Sequence, residues 1–375
     1  PVEVKTLDIY RGVIAFILLQ LVGLGIVGTF PSLVNFLPNQ SFLTSDTAPP
    51  PKNPRLQQCL EQHVFAVYDE TGDALQSQIQ SAMRLDISYL PEKRQKELAR
   101  SFNLALDTFD LVTNVRTAAD NVAQAAIAYR PLHREVRRLQ ENARDIAEKM
   151  EDLENILNRL KRRNATPPAK IEELENNIAD LETTKVALEA GIPDSWKDKR
   201  KQFVGLLKAE TKARRDYRQN VDRAYKPVQE ILTLAQKGGS LSAISGEIEA
   251  LKVIAQNNPV KEVKAALKAA RKSLREAAPD TSSISSLLTK GDRALKPNGK
   301  GRKKTVKFVA DAITLYKTEV TWRERAAGEL SARLASYNDA IKNSIGIRLQ
   351  ERLPSSIARS VAVCRSHHRD ISLNF

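Results

Sequence analysis

Apolar residues are distributed along this chain in two regimes. From Val13 to Phe30 they follow one another almost without a break, and no charged residue occurs between Gly12 and Leu43. From Leu56 onward they recur every three or four residues among charged side chains, the spacing of one face of an α-helix. The first regime predicts a transmembrane helix. About 20 apolar residues span the hydrocarbon core of a bilayer, and a single helix pairs its backbone amides internally. Gly23, Gly25 and Gly28 suit such a helix, since small residues let neighbouring helices approach closely, and Gln20 is its one strongly polar residue. Lys5 and Arg11 precede the run and no positive charge follows it until Lys52, so the positive-inside rule places residues 1–11 in the cytoplasm and the tail on the opposite side.

The second regime predicts an all-α tail. Residues 44–55 read as a proline-rich linker, because proline lacks an amide proton and disfavours helix in the residue before it. Residues 56–130 read as two or three helices, through Leu56, Leu60, Val64 and Val67, then Leu98, Phe102, Ala105, Phe109 and Val112, with Pro91 in the first turn of a helix. The strongest signal is a heptad. Val136, Ala143, Met150 and Leu157 recur every seven residues, as do Leu139, Ile146, Leu153 and Leu160 three positions later. Asn164–Ala169 interrupts it. Ile171 and Ile178, offset from Leu174, Leu181 and Leu188, then resume it until Gly191 and Pro193. Two such stripes joined by a short turn predict an antiparallel coiled-coil hairpin over 131–190.

A basic helical region over 191–295 follows, with helices predicted at 196–236, 241–256, 260–277 and 282–290. A basic loop covers 296–304. A C-terminal helical region covers 305–375, with a pattern running to residue 352 and no periodicity from Pro354. The predicted fold is thus all-α: one transmembrane helix within a terminal segment at 1–43, then a long helical tail.

Composition agrees with extended helices. Charged residues reach 28%, aromatics 5%, and glycine only 15 of 375. Net charge is +14. Lys5 and Arg11 are balanced by Glu3 and Asp8 in the membrane segment, so the excess lies in the tail and suits an anionic lipid or an acidic protein. The two cysteines, Cys59 and Cys364, lack the spacing of a zinc or redox motif and read as unpaired thiols. The chain opens on Pro1, as expected of a processed protein or a fragment of a longer one.

The residues Asp8-Ile9-Tyr10-Arg11-Gly12, with Phe16, Leu19-Gln20-Leu21, Phe30-Pro31 and Leu37-Pro38, resemble the last membrane helix of the large membrane subunit of TRAP (tripartite ATP-independent periplasmic) transporters, the DctM-like family. Family members commonly read D-[IV]-Y-R-G-V-x-P-F here. Ala15 stands at the usual proline, and Asn35-Phe36-Leu37-Pro38 replaces a version containing tryptophan. The match covers roughly residues 1–40. It implies an inner-membrane secondary transporter that imports organic acids such as C4-dicarboxylates on an ion gradient, working with a small membrane subunit and a periplasmic substrate-binding protein, and it implies a periplasmic tail. The family's substrate and ion sites lie in earlier helices, so no substrate-binding residue carries over. The tail departs from the family's usual length. A regulatory or partner-binding role is the expectation for it, and a single-span anchored scaffold without transport activity is the alternative.

No chemistry stands out. The glycines at 238–239, 299 and 301 lack the flanks of a phosphate-cradling loop. His63 has no second ligand at i+3 or i+4, and the adjacent His367 and His368 point apart on a helix, so no metal site is expected. No catalytic residue, cofactor or metal ligand is assigned, and an enzyme is not expected. Lys197–Lys201, Lys212–Arg215 and Lys300–Lys304 could contact phosphates, but aromatic residues rarely interleave with them, and nucleic acid is not the expected partner. Lipid, self-association through the heptads, or another coiled-coil chain fits better.

Overall fold

A computed structural model describes residues 6–29, 49–162 and 167–364. The described residues form helices and no strand, so the all-α class holds. The helices are α1 (Thr6–Thr29), α2 (Pro54–Met83), α3 (Glu92–Lys161), α4 (Pro168–Ala190), α5 (Trp196–Gln236), α6 (Gly238–Ser242), α7 (Ser245–Asn257), α8 (Val260–Ala277), α9 (Ser282–Ala294), α10 (Arg302–Glu329), α11 (Ser331–Ile341) and α12 (Ser355–Val363), with a 3-10 turn at Ile347–Leu349. The chain divides into two compact units, residues 1–109 with 219–375, and residues 110–218. The first part of the predicted linker, residues 44–48, lies outside the described residues.

α1 has 24 residues, about 36 Å at 1.5 Å per residue. Its described side chains are exposed, among them Phe16 at 60%, Leu19 at 71% and Leu24 at 72%. Among the described residues no helix is long and apolar enough to cross a membrane. Within α1 the side chains of Ile14, Ala15 and Val27, three apolar members of the run, are not among those described.

In the first unit, α6–α10 close one core. α8 shows why it is a helix and which way it faces: Val263, Leu267, Ala270 and Leu274 recur at steps of four and three and are all buried, while Lys261, Lys264, Lys268, Arg271, Lys272 and Arg275 lie on its other faces. They meet Ile248 and Leu251 of α7, Ile284 and Leu288 of α9, and Val309, Ala312 and Tyr316 of α10. Tyr316 donates its hydroxyl proton to the Leu241 carbonyl at 2.5 Å, which satisfies a polar group that burial would otherwise penalise. The basic loop has a structural use. Arg302 donates to the carbonyls of Ala255, Gln256 and Asn258 at 2.9–3.2 Å, supplying the partners that the last carbonyls of α7 lack. Just before it, Gly301 has φ +92°, and a Cβ there would stand 2.1 Å from the Ala294 carbonyl oxygen.

The same unit holds the start of α3 against the end of α5. Ser101 donates to the Ala224 carbonyl at 2.7 Å, and the Asn220 amide donates to the Leu104 carbonyl at 2.6 Å. α2 packs on α11 and α12. α12 corrects the sequence reading, which had no periodicity past Pro354. Three residues, Ile357, Ala358 and Val361, form its buried face, too few to register as a repeat. The cysteines are also corrected. Cys59 and Cys364 form a disulfide with Cα atoms 5.9 Å apart; their approach comes from α12 packing on α2, which spacing cannot reveal.

In the second unit the heptad positions of α3 and α4 are the sheltered ones. Val136, Ala143 and Leu157 are buried, and Leu139, Ile146, Met150, Leu153, Leu160, Ile171, Leu174, Ile178, Leu181 and Leu188 are half-buried between exposed neighbours. Lys161 pairs with Glu175 at 2.6 Å, and Gly191 lies beside Leu139. α3 continues through Pro131, although proline removes one backbone hydrogen bond.

Gly346 offers a sharp test of the first unit's packing. A Cβ there would sit 2.4–2.6 Å from the Tyr225 ring, whose hydroxyl accepts a hydrogen bond from Gln350 at 2.9 Å. Gly346→Ala should destabilise the protein by about 1–3 kcal/mol, read as a lowered midpoint in urea denaturation. A second prediction concerns the disulfide: Cys364→Ser should cost about 2–4 kcal/mol, since the bridge removes loop entropy from the unfolded chain, and mass spectrometry of the unreduced protein should recover the Cys59–Cys364 peptide pair.

Candidate functional site

The residues singled out from sequence disperse. His63 is half-buried on α2, and His367 and His368 lie outside the described residues. Among the described residues no three His, Cys, Asp or Glu side chains gather as a metal site. Lys212 and Arg214 are engaged by Asp216 at 3.1 Å and Glu210 at 2.8 Å, and Arg302 caps α7. Of the three basic stretches, Lys197–Lys201 borders a cavity. That cavity, about 570 Å³, is lined by Trp196, Lys197, Arg200 and Lys201 of α5 with Gln140 and Ile192.

An aromatic stack underlies it. Tyr129 lies parallel to Phe203 with centroids 4.1 Å apart and to Trp196 at 5.7 Å. His133 completes the group, 5.4 Å from Tyr129 and 5.7 Å from Trp196. One helical turn separates Tyr129 from His133, and two turns separate Trp196 from Phe203, so each pair shares a face. Burial pushes the His133 pKa down, and the positive charges of Arg137 and Arg200 push it further the same way. The imidazole is therefore neutral near pH 7 and packs as a flat ring.

A second cavity, about 750 Å³, was missed in the sequence. It lies between α8 and α9, where Lys268, Arg271, Lys272 and Arg275 of α8 face Ser282, Ser285, Ser286 and Thr289 of α9 across the loop 278–281. The signal was present: Lys268, Arg271, Lys272 and Arg275 fall at i, i+3, i+4 and i+7, one helical stripe, followed directly by the hydroxyl-rich run Thr281–Ser286. Two arginines pin the loop. Arg94 holds the Asp280 carboxylate along with Glu230, the latter at 2.9 Å, and Arg323 donates to the Pro279 carbonyl at 3.1 Å. Asp280 has φ +58°, a left-handed conformation that Asp tolerates better than most residues.

Both cavities present cations, one beside stacked rings and the other beside hydroxyls. No family profile, curated protein or solved structure matches the chain.

The imidazole yields a pH prediction. Its folded pKa lies below the unfolded value, so the folded state binds fewer protons. His133 therefore opposes folding as pH falls below about 6.5 and has no effect above it. By NMR, His133 should titrate below 6.5, and Arg200→Gln should raise its midpoint.

Proposed function

We propose that this chain is a membrane-anchored helical interaction protein: the terminal span of a TRAP-type large permease subunit carrying an accessory domain on the periplasmic side of a bacterial inner membrane. The observation that carries the anchor is the exposure of α1's apolar side chains along a 24-residue helix. Water around such a surface is costly at about 25 cal/mol per Å², whereas acyl chains cover it without loss. The uncharged stretch Gly12–Thr29 matches the length of a hydrocarbon core. The Cys59–Cys364 disulfide supports the sidedness, since such bonds persist in oxidising compartments such as the bacterial periplasm.

Transport chemistry would reside in spans other than this one. The accessory domain would regulate the transporter or dock a partner, among them the small membrane subunit and the periplasmic binding protein. The sheltered heptads of α3 and α4, the Lys161–Glu175 pair and the approach of Gly191 to Leu139 support an antiparallel coiled-coil hairpin over 131–190. A free-standing single-span scaffold is the second reading, favoured by the family likeness ending near residue 40 while the tail closes cores of its own. Coding sequence upstream of Pro1 separates the two: further hydrophobic spans belong to the permease reading alone.

Expressed in bacteria, the full chain should stay in the membrane pellet after alkaline carbonate washing. Leu19→Arg with Leu24→Arg should release it, because each arginine at mid-helix costs about 2.5–3.5 kcal/mol on insertion. Recovery of the unaltered chain in the supernatant would sink the anchor reading.

A further inference from the structure

We infer that the groove between α8 and α9 is a binding site for a phosphate-bearing anion. Four cations line one concavity of about 750 Å³, and among the described residues only Arg271 and Lys272 of the four are ion-paired. Arg271 is the fixed member. Its guanidinium donates to the Leu267 carbonyl and the Asp292 carboxylate at 3.2 Å and to the Thr289 hydroxyl at 2.9 Å, which holds the planar fork at the wall of the groove. Lys272 has a single exposed partner, Glu276, at 3.8 Å. Lys268 and Arg275 have no ion-pair partner among the described residues.

The acid that lines the groove, Asp280, is engaged by Arg94, so it does not neutralise the stripe. α9 contributes no acid in its first turn. Instead it supplies Ser282, Ser285 and Ser286, hydroxyls without a protein partner among the described residues.

These features select a ligand class. A single carboxylate carries one charge and is satisfied by one guanidinium. A phosphomonoester carries about −1.5 to −2 near neutral pH, with three acceptor oxygens that can take donors from several directions at once. Arginine forks match those oxygens in pairs, lysines add mobile point charges, and serine hydroxyls fill the remaining acceptor sites. A phosphodiester shares the chemistry at lower charge, so a free phosphate and a phospholipid headgroup are two sources of one ligand type. The inference stands without the membrane reading, because it rests on α8 and α9 alone.

The test uses the full chain in neutral detergent micelles at about 0.1 M salt, where long-range attraction between surface charges is largely screened. Calorimetric titration with inorganic pyrophosphate and, separately, with glycerophosphoglycerol, the water-soluble headgroup of phosphatidylglycerol, reads the two sources. Binding of either supports the site, and the tighter of the two identifies its source. Lys268→Glu with Arg275→Glu should weaken that binding at least tenfold, as expected for losing charge-assisted contacts. Lys303→Glu with Lys304→Glu makes the same change in net charge at exposed positions outside the groove and should alter affinity by less than about twofold. Circular dichroism should give unchanged helix content for both double variants. Equal losses in the two variants would reduce the effect to overall charge and overturn the proposal. Failure of both probes to bind below about 1 mM would overturn it as well.

Discussion

The guanidinium of Arg323 is fully buried, in a unit whose core is built mainly from aliphatic and aromatic side chains. A charge withdrawn from water is tolerated only when its donors are matched. Arg323 finds Glu319 one turn back on α10 at 2.9 Å and the Pro279 carbonyl at 3.1 Å. That second bond reaches the loop between α8 and α9, where Arg94 holds the next residue, Asp280, from another direction. Gly238 sits so close to the Arg323 backbone that a Cβ would come within 3.3 Å of it. Arg323 thus joins α10 to residues 278–281, the loop that borders the groove between α8 and α9.

The chain's 59 lysines and arginines exceed its 45 acids by 14, and many are neutralised one helical turn away: Lys93 with Glu97, Arg214 with Glu210, Lys226 with Glu230, Arg325 with Glu329. Such pairs, where exposed, add little stability, commonly under about 1 kcal/mol each, but they remove cations from the field that a ligand would feel. Other arginines serve the backbone, as Arg302 does at the end of α7. A count of basic residues is therefore a poor guide to anion binding. The stripe on α8 differs because Lys268 and Arg271 have cations, Lys272 and Arg275, at i+4, and only Lys272 of the four meets an acid of its own helix, Glu276 at 3.8 Å.

Helix existence was legible where apolar spacing met punctuation. The spans 196–236 and 260–277 coincide with α5 and α8, the first closed by Lys237-Gly238-Gly239 and the second opened by Pro259. The heptad positions named from sequence are the sheltered ones in α3 and α4. What could not be read is what two distant segments do to each other. The Cys59–Cys364 pairing depends on α12 lying against α2. The groove depends on α8 and α9 lying side by side, and the cap by Arg302 depends on α10 beginning beside the end of α7. Each is a consequence of tertiary packing, and for α12 the local pattern was also too short to read. The aromatic stack is intermediate: Tyr129 and His133 share a face on α3, and Trp196 and Phe203 share one on α5, but their meeting joins residues far apart in sequence.

The disulfide links residues 305 apart, near the start of α2 and just past the end of α12. Between them the chain leaves the first unit at residue 109 and re-enters it at 219. The heptad-bearing segment is therefore an excursion from a unit that the Cys59–Cys364 bond closes, and the bond acts chiefly by removing loop entropy from the unfolded chain.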